Sequence, residues 1–416
     1  MDKSENKKRI RSNSDNDIYY NLINERSKND QYFRKQHKNK QIEILNKEDE
    51  INKYFDLDIP LRYRIILSSL PIHTKSLLIN KIDIYENMSD TDTEYTKLNK
   101  WMKGLSLIPF DIYVEMPISI KDTNTKIEEF LFKSYQILNN TIYGQVDAKN
   151  KIIQILAQWI SNPTSLGQII ALEGPPGIGK TTLIKNGVSK ALNRPFSFYA
   201  LGGENDISSL EGHSYTYEGA HWGRIIEMLM ETKVMNPVIF FDELDKISYT
   251  SKGSEINGLL THLTDPSQNN TFKDKYFSEI DIDLSKVLFF FSFNNIKLIN
   301  PILKDRLTII KFKPYKLEDK ISIVSKFIVP ELLKNIGFSE KDIYINDITI
   351  KYIIQKYIVD EPGVRGIKRF IEDIFLKINL LKLMKNNIID IKYNIKNLSF
   401  PLNLTIDNID ELLNPN

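Results

Sequence analysis

A glycine-rich octapeptide near the middle of the chain has the residue types and spacing of a loop that wraps around phosphate groups. It matches the pattern G-x-x-x-x-G-K-[ST] in full, through Gly174, Pro175, Pro176, Gly177, Ile178, Gly179, Lys180 and Thr181. In such a loop the glycines let backbone N–H groups point at phosphate oxygens, the lysine reaches the β- and γ-phosphates, and the hydroxyl ligates Mg²⁺. An apolar run ends at Glu173 and a helical pattern opens at Thr182, which is the strand–loop–helix setting that the pattern requires. The octapeptide, together with Thr182, therefore predicts a site for ATP and Mg²⁺.

Two carboxylates, Asp242 and Glu243, follow a second apolar run over 238–241. By itself, an acidic pair after a strand is commonplace and is more often the start of a solvated loop. Here the pair follows Lys180 with one predicted strand between them. The carboxyl ends of parallel strands face the crevice where ligands bind. We therefore expect Asp242 to hold Mg²⁺ and Glu243 to polarise the attacking water as a general base.

Three further polar residues lie at positions that could complete such a site. Asn294 ends an apolar run, where it could bind the attacking water and the γ-phosphate or could simply be a turn residue. Arg306 precedes the last predicted strand, and Arg365 lies in the first turn of a helix that Pro362 is expected to open. A cation there opposes the helix dipole, so an anionic ligand would offset its cost. For each arginine the alternative is a surface ion pair.

The elements that must position these residues alternate between helices and short apolar strands. The strand candidates are 168–173, 196–201, 238–242, 287–293 and 308–312, with a further possible strand within 389–406. Fully apolar strands joined by helical crossovers predict an α/β fold with a parallel sheet that is buried on both faces. Helical periodicity also appears over 61–70, 72–88, 94–108 and 127–138, with an extended or loop-like stretch over 110–125.

These patterns divide the 416 residues into four predicted parts. They are a charged, disordered tail over 1–56, a small helical region over 57–138, an α/β core over 139–314 and a helical end domain over 315–416. In the tail, residues 7–11 (KKRIR) could be a nuclear-import or phosphate-binding patch, or merely part of a solvated tail.

Composition excludes several classes of protein. Lys plus Arg is 56 and Asp plus Glu is 54, so the net charge of +2 lacks the signature of a general nucleic-acid coat. There is no Cys, which removes disulfides and thiolate chemistry and fits a reducing compartment. No run is long and apolar enough to span a membrane, and no signal-peptide core follows Met1. We expect a soluble, intracellular, cytoplasmic protein (in the host cytoplasm if viral), with the basic patch leaving the nucleus open.

With these residues laid out, the chain resembles the ATPase module of the Lon family within the AAA+ superfamily, from Tyr143 to Leu413. The resemblance rests on stretches beyond the generic ATPase motifs. These are 143–144 (YG), 201–203 (LGG), 211–213 (EGH), 216–220 (TYEGA), 223–226 (GRII), 242–246 (DELDK), 264–266 (TDP), 283–287 (DLSKV) and 363–365 (GVR).

The resemblance implies a role for each of the ambiguous residues. Asn294 matches the sensor-1 residue, Arg306 the arginine finger, Arg365 the sensor-2 residue, and Tyr143 with Gly144 the turn that contacts adenine. Because the finger acts on the nucleotide of a neighbouring subunit, it implies a homo-oligomeric ring, typically a hexamer. Tyr217 matches the pore-loop aromatic that grips a translocating polypeptide, although a buried or ordinary loop tyrosine is the alternative. The P-loop NTPase core would carry a C-terminal helical lid.

Two features depart from the family pattern. Glu218 stands where the aromatic is usually followed by an aliphatic residue, and a carboxylate there would alter the grip on a peptide backbone. Only 51 residues follow Arg365, too few for the Ser–Lys protease domain, so we expect no peptidase activity. The large N-terminal domain of the family is also not expected, although 61–138 resembles its final helices through Trp101, Pro109 and Phe110.

Three functions remain open from the sequence. The first is an ATP-hydrolysing ring that remodels or unfolds a protein substrate or complex, with or without a separate protease acting in trans. The second is a nucleotide-gated assembly scaffold, which Glu218 favours. The third is a DNA-handling ATPase, which the near-neutral charge disfavours. Neither nucleic acid nor a membrane is an expected partner.

Overall fold

The computed structural model describes residues 32–55, 59–89, 91–92, 94–162, 169–204, 206–248, 250–339, 341–384, 395 and 398–413. The chain divides into two compact units between Leu67 and Ser68. The first unit contains helices α1 (Lys38–Phe55) and α2 (Leu61–Leu67), and the second unit contains the remaining elements. Among the described residues, no helix combines the length and the apolar content needed to cross a bilayer.

Helix α1 differs from the disorder expected for 1–56. Its sequence is rich in Lys and Glu, which favour helix without burial. Glu43 also pairs with Lys40 at 2.9 Å and with Lys47 at 2.7 Å, at the three- and four-residue spacings that join neighbouring turns. The alternating charges of this segment therefore stabilise a helix by pairing along it. The basic patch at 7–11 lies outside the described residues.

The second unit begins with three helices, α3 (Ile72–Glu86), α4 (Tyr95–Leu107) and α5 (Asn124–Thr141). They coincide with the predicted helical stretches to within three residues at each end. Pro71 stands at the N-cap of α3, and Ile108 ends α4 in an extended conformation directly before Pro109. The sequence between α4 and α5 is loop, as predicted.

The next part of the chain builds a five-stranded sheet in the order β2-β3-β4-β1-β5, and every neighbouring pair is parallel. The strands are β1 (Ile170–Glu173), β2 (Phe196–Ala200), β3 (Val238–Asp242), β4 (Leu288–Phe293) and β5 (Thr308–Lys311). The helices before and between these strands are α6 (Val146–Ser161), α7 (Lys180–Thr182, Leu183–Val188 and Ser189–Leu192), α8 (Ser208–Glu211), α9 (Arg224–Thr232), α10 (Ser251–Leu263) and α11 (Pro301–Lys304). The five predicted strands and their parallel arrangement are confirmed.

Both faces of this sheet are buried. On one face, Phe240 and Phe290 belong to a core formed with α5, α6 and α7. On the other face, the ring of Phe241 stacks on that of Phe291 with centroids 5.2 Å apart, and both residues are fully buried. This explains why β3 and β4 are apolar over most of their length: alternate side chains point to opposite faces, and neither face meets water.

The chain ends in a helical subdomain with its own core. It comprises α12 (Leu317–Ile323, Val324–Ile328 and Val329–Ile336), β6 (Ile343–Ile345), α13 (Asp347–Tyr357), α14 (Arg365–Leu383), β7 (Leu402–Leu404) and α15 (Ile406–Leu413). Strands β6 and β7 pair in parallel. β7 falls inside the stretch 389–406 that was expected to hold a strand; residues 389–394 lie outside the described part.

Candidate functional site

The octapeptide 174–181 forms a tight loop between β1 and α7. Gly177 and Gly179 have φ angles of +75° and +89°, in the left-handed region that glycine adopts without strain. A Cβ atom on Gly177 would lie 3.0 Å from that of Arg365, the first residue of α14. The loop also needs glycine at this position because the C-terminal helical subdomain, the lid, approaches closely. Thr181 and Thr182 follow in the first turn of α7, where N–H groups point back toward the loop.

Lys180 is the first residue of α7, and its side chain is buried. Its ammonium donates to the backbone oxygens of Gly174 and, at 3.2 Å, Pro175, and to Oδ1 of Asn294 at 2.8 Å. Burial lowers the pKa of Lys180, and the negative charges of Asp242 and Asp245 oppose that shift. The loop therefore concentrates a desolvated cation where phosphate oxygens would be bound.

The end of β3 carries the predicted acidic pair. Oδ1 of Asp242 accepts hydrogen bonds from the hydroxyl of Ser292 and, at 3.0 Å, from the backbone N–H of Glu243. Ser292 lies on β4, which separates β3 from β1 in the sheet. It holds one oxygen of Asp242, and Oδ2, which has no hydrogen-bond partner within the described residues, is available for a cation. Sequence reasoning missed Ser292 because only the strand order places it beside Asp242.

Glu243 is exposed and adopts a left-handed φ of 60°. This backbone conformation turns its carboxylate away from β3 and against Gly202, just beyond the end of β2. A Cβ atom on Gly202 would fall 2.0 Å from Oε2 of Glu243. The absence of a side chain at position 202 is therefore what makes room for the proposed general base.

Asp245 connects the acidic segment to Asn294. It is 4% exposed, and its Oδ2 accepts from the backbone N–H groups of Asn294 at 3.2 Å and Asn295 at 3.1 Å. These bonds fix the turn that follows β4 and hence the position of the Asn294 amide against Lys180. In the sequence, Asp245 stands out only as part of the stretch 242–246. Nothing in the local pattern indicated that it would point at another strand's end.

The turn before α6 meets the phosphate-binding loop through Tyr315. The Tyr315 hydroxyl lies 3.2 Å from the backbone oxygen of Tyr143 and 3.1 Å from that of Ile178. Its ring carbon would lie 3.9 Å from a Cβ on Gly144, and burial raises its pKa to about 12. Tyr315 thus stays protonated and ties the predicted adenine turn to the loop. Tyr315 was not predicted as a site residue, because it is distant in sequence from both segments.

The lid contacts the loop directly. The backbone N–H of Val364 donates to the oxygen of Gly177 at 3.1 Å, and a Cβ on Gly363 would lie 2.4 Å from the oxygen of Pro176. Helix α14 begins at Arg365, so the expectation that Pro362 opens it is wrong. Pro362 precedes the helix and instead accepts a hydrogen bond from the backbone N–H of Tyr315.

Arg365 occupies the first residue of α14, as expected for a cation near the phosphates. Its guanidinium is exposed and has no hydrogen bond or ion pair within the described residues. The carboxylate of Glu361 accepts from the N–H of Gly366 at 2.7 Å and so offsets part of the unfavourable dipole interaction. The guanidinium therefore remains available for an anion.

These residues fit ATP with Mg²⁺. A loop with inward N–H groups and a buried lysine suits the phosphates, and Mg²⁺ usually takes one or two protein oxygens while phosphates and water supply the rest. Thr181 and Oδ2 of Asp242 would be those protein ligands. When bound, the metal neutralises charge on the phosphates.

Comparisons with known proteins agree with this geometry. Residues 170–315 match the family described as "ATPase family associated with various cellular activities (AAA)". The chain is 38% identical over 370 residues to a Lon protease homolog of Acanthamoeba polyphaga mimivirus, a match that covers 87% of this chain and 35% of that protein. The chain carries a Lon-type AAA module.

Two other relatives give the same result. A mitochondrial Lon protease homolog of Candida glabrata is 35% identical over 77% of this chain and 31% of its own length. The Lon protease of Chlamydia trachomatis is 32% identical over 76% of this chain and 37% of its own length. The chain thus spans about a third of the length of these curated relatives.

In this Lon-type AAA module, Arg306 does not join the network around Lys180. Its Nη1 instead donates to the backbone oxygen of Thr261 at 2.9 Å and lies 2.8 Å from Oδ2 of Asp265. Both partners lie at the carboxyl end of α10, so an intrachain ion pair holds the guanidinium while leaving it 31% exposed. Its role as an arginine finger stays a prediction.

Tyr217 of the Lon-type AAA module lies in a surface loop and is 70% exposed, which excludes the alternative of a buried tyrosine. Glu218 beside it is also exposed, and Gly219 has a φ of +77°. An exposed aromatic of this size is free to contact a partner, as the pore-loop assignment requires. The assignment itself stays a prediction.

Proposed function

We propose that this chain is an ATP-hydrolysing, ring-forming protein that remodels or unfolds a polypeptide substrate. The observation that carries the proposal is the convergence of Lys180, Asp242 and Asn294 around one phosphate-binding loop, in a module that also presents Tyr217 to solvent. The first set has the chemistry of phosphoryl transfer, and the exposed aromatic has the chemistry of a polypeptide contact.

Two arginines in different surroundings support the proposed ring. Arg365 is on the lid next to the loop of its own chain, and its guanidinium is unpaired within the described residues. Arg306 is anchored to α10, away from the Lys180 network, so a nucleotide for it must come from a neighbouring copy. Such fingers raise turnover by roughly 10³ to 10⁵ where they have been measured. A homo-oligomer, in the family typically a hexamer, supplies that neighbour.

The decisive experiment is the ATPase rate of the purified chain with and without an unfolded polypeptide, together with its mass in solution with ATP. Stimulation by the polypeptide and a mass several times that of one chain support the proposal. A monomer whose ATPase ignores polypeptide would contradict it. The expectation of no peptidase activity stays a prediction, and release of peptides from labelled casein would contradict it.

A nucleotide-gated assembly scaffold is the second candidate, and the exposed carboxylate of Glu218 favours it. A ring of carboxylates beside the Tyr217 side chains would repel acidic stretches and weaken a general grip on polypeptide. In that case ATP would still drive assembly, but unfolded polypeptide would leave the ATPase rate unchanged. For either function we propose an intracellular, cytoplasmic location, which imaging of the tagged chain tests.

A further inference from the structure

The loop that carries Tyr217 comprises residues 213–221 and is shaped by backbone hydrogen bonds of its own. The backbone N–H of His213 donates to the oxygen of His221 at 3.0 Å, which closes the base. Within the loop, the N–H of Tyr217 donates to Ser214 and that of Ala220 donates to Tyr217, at 3.1 and 3.3 Å. These turn bonds shape the loop but do not hold it against the rest of the molecule.

Two lysines of α4 bond to the loop from outside. Nζ of Lys97 donates to the backbone oxygen of Thr216 at 3.3 Å, and Nζ of Lys100 donates to that of Ala220 at 2.5 Å. The two accepting oxygens lie on either side of Tyr217 in the sequence. Because the lysines are one helical turn apart on α4, they reach the two arms of the loop from the same helix face.

An aromatic cluster fastens α4 beneath the loop. Trp101 is 1% exposed, and its indole N–H donates to the backbone oxygen of Tyr276 at 3.2 Å. Its ring lies 6.5 Å from that of Tyr215 at the start of the loop. Lys81 on α3 lies over both rings, 4.1 Å from Trp101 and 4.5 Å from Tyr215, and is anchored by Glu279 at 2.9 Å. These contacts leave α4 little freedom to move relative to the loop's first arm.

The other arm is packed in the same way. Trp222, just after the loop, stacks on Phe277 with centroids 6.2 Å apart. Gly104 of α4 faces both rings, and a Cβ there would lie 2.9 Å from each of them. The helix can approach this closely only because position 104 has no side chain. Both arms of the loop therefore rest on α4 rather than on the ATPase sheet.

We propose that α4 is a positioning element for the Tyr217 loop, with Lys97 and Lys100 setting where the exposed ring is presented to polypeptide. The inference rests on the proposed function in one respect, namely that polypeptide is the ligand of the loop. Charge-assisted donors hold a carbonyl more firmly than neutral ones, and two of them on opposite arms restrict rotation of the tip. Movement of α4 is thereby transmitted to Tyr217, and movement of the loop to α4.

The test uses the full chain with both lysines replaced, Lys97→Met and Lys100→Met, and Lys103→Met as the matched control. Lys103 lies on the same helix, is exposed, and its side chain has no hydrogen bond or ion pair within the described residues. We expect the double variant to keep its basal ATPase rate, while its stimulation by unfolded casein falls about fivefold or more, the scale of a typical coupling between sites. The control should retain the stimulation.

A second measurement is independent of polypeptide. Because the chain has no cysteine, spin labels can be attached at Thr96→Cys and Glu218→Cys alone. Labelled chain is diluted with excess unlabelled chain, so that an assembly rarely carries more than one labelled copy. We expect a narrow distance distribution that broadens in the lysine double variant and not in the Lys103→Met control.

The outcomes separate the two proposals. If casein fails to stimulate the unmodified chain, the proposed function fails, yet the spin-label distances still decide whether the lysines position the loop. An unchanged distance distribution in the double variant overturns the inference, whatever the ATPase shows. Loss of basal ATPase in the double variant would indicate that this variant does not fold. In that case the single changes Lys97→Gln and Lys100→Gln are measured in the same way, with a partial broadening expected for each.

Discussion

The ammonium of Lys180 lies 2.8 Å from Oδ1 of Asn294, so the loop after β1 and the turn after β4 share one hydrogen bond. These two strands are neighbours in the sheet, although more than a hundred residues separate them in the chain. The bond places an amide beside the cation that would meet the γ-phosphate. It also makes Asn294 sensitive to anything that displaces Lys180.

Glu243→Gln is expected to abolish ATP turnover while leaving ATP binding intact. The amide has nearly the same shape as the carboxylate but cannot accept a proton from the attacking water, and general-base catalysis contributes about 10²- to 10⁴-fold. Turnover is measured as phosphate release, and binding with a fluorescent ATP analogue. Unchanged turnover would remove Glu243 from its role as base.

Asp245→Ala is expected to lower turnover through Asn294, without direct contact with the nucleotide. Two backbone N–H groups lose their acceptor, which costs about 1–3 kcal/mol for each buried group left unsatisfied. Asp245→Asn keeps one acceptor oxygen and should rescue most of the rate. Equal loss in both variants would instead point to the charge of Asp245 acting on Lys180, which a shifted pH–rate profile would reveal.

Arg306→Ala is expected to inactivate the assembly in trans rather than in cis. Mixing Arg306→Ala chains with Glu243→Gln chains, both inactive alone, should restore part of the turnover. In the mixture, an Arg306→Ala chain, which keeps Glu243, can lie next to a Glu243→Gln chain, which keeps Arg306. That pair contains one complete site. The measurement is phosphate release at several mixing ratios. No recovery at any ratio would contradict a finger shared between subunits.

Tyr217→Ala is expected to lower the ratio of casein-stimulated to basal ATPase toward one, because the exposed ring is lost as a contact. Tyr217→Phe keeps the ring and should retain most of the stimulation. Glu218→Leu serves as a test of the second candidate function: if the carboxylate weakens the grip, its removal should increase the stimulation. An identical ratio in all three variants would exclude this loop as the polypeptide contact.

Asp274 is expected to make stability depend on pH. Burial raises its pKa to about 7, with a smaller contribution from Glu211, against the hydrogen bonds donated by the backbone of Gly223, Tyr276 and Phe277. The folded chain then binds more protons than the unfolded chain between about pH 4 and pH 7, so this contribution to stability is present below pH 4 and is lost as the pH rises to 7.

Melting temperatures across this pH range test that expectation. Asp274→Asn should be less stable overall, because its amide cannot accept all three backbone bonds. It should also show a flatter dependence on pH than the unmodified chain. The same slope in both proteins would contradict the assignment to Asp274.

The sequence by itself determined the five strands of the sheet, the helices α2 to α5 and the phosphate-binding loop, whereas β6 was not predicted. Apolar runs with helical crossovers specify buried parallel strands, and the loop at 174–181 binds phosphate through its own backbone. Both features can therefore be predicted from short stretches of sequence. Helix α1 was missed because its support comes from ion pairs along the helix rather than from burial.

Only the tertiary structure decided how the site is held together. Ser292 supports Asp242, Asp245 supports Asn294, and Tyr315 joins the turn at Tyr143 to the loop. Each link crosses between strands or segments that are distant in the chain, and hydrogen bonds across such distances depend on strand order and side-chain direction. Local patterns of residue types contain no information on strand order or side-chain direction. A carboxylate or hydroxyl at the end of a strand is therefore predicted to be solvated until its neighbour in space is known.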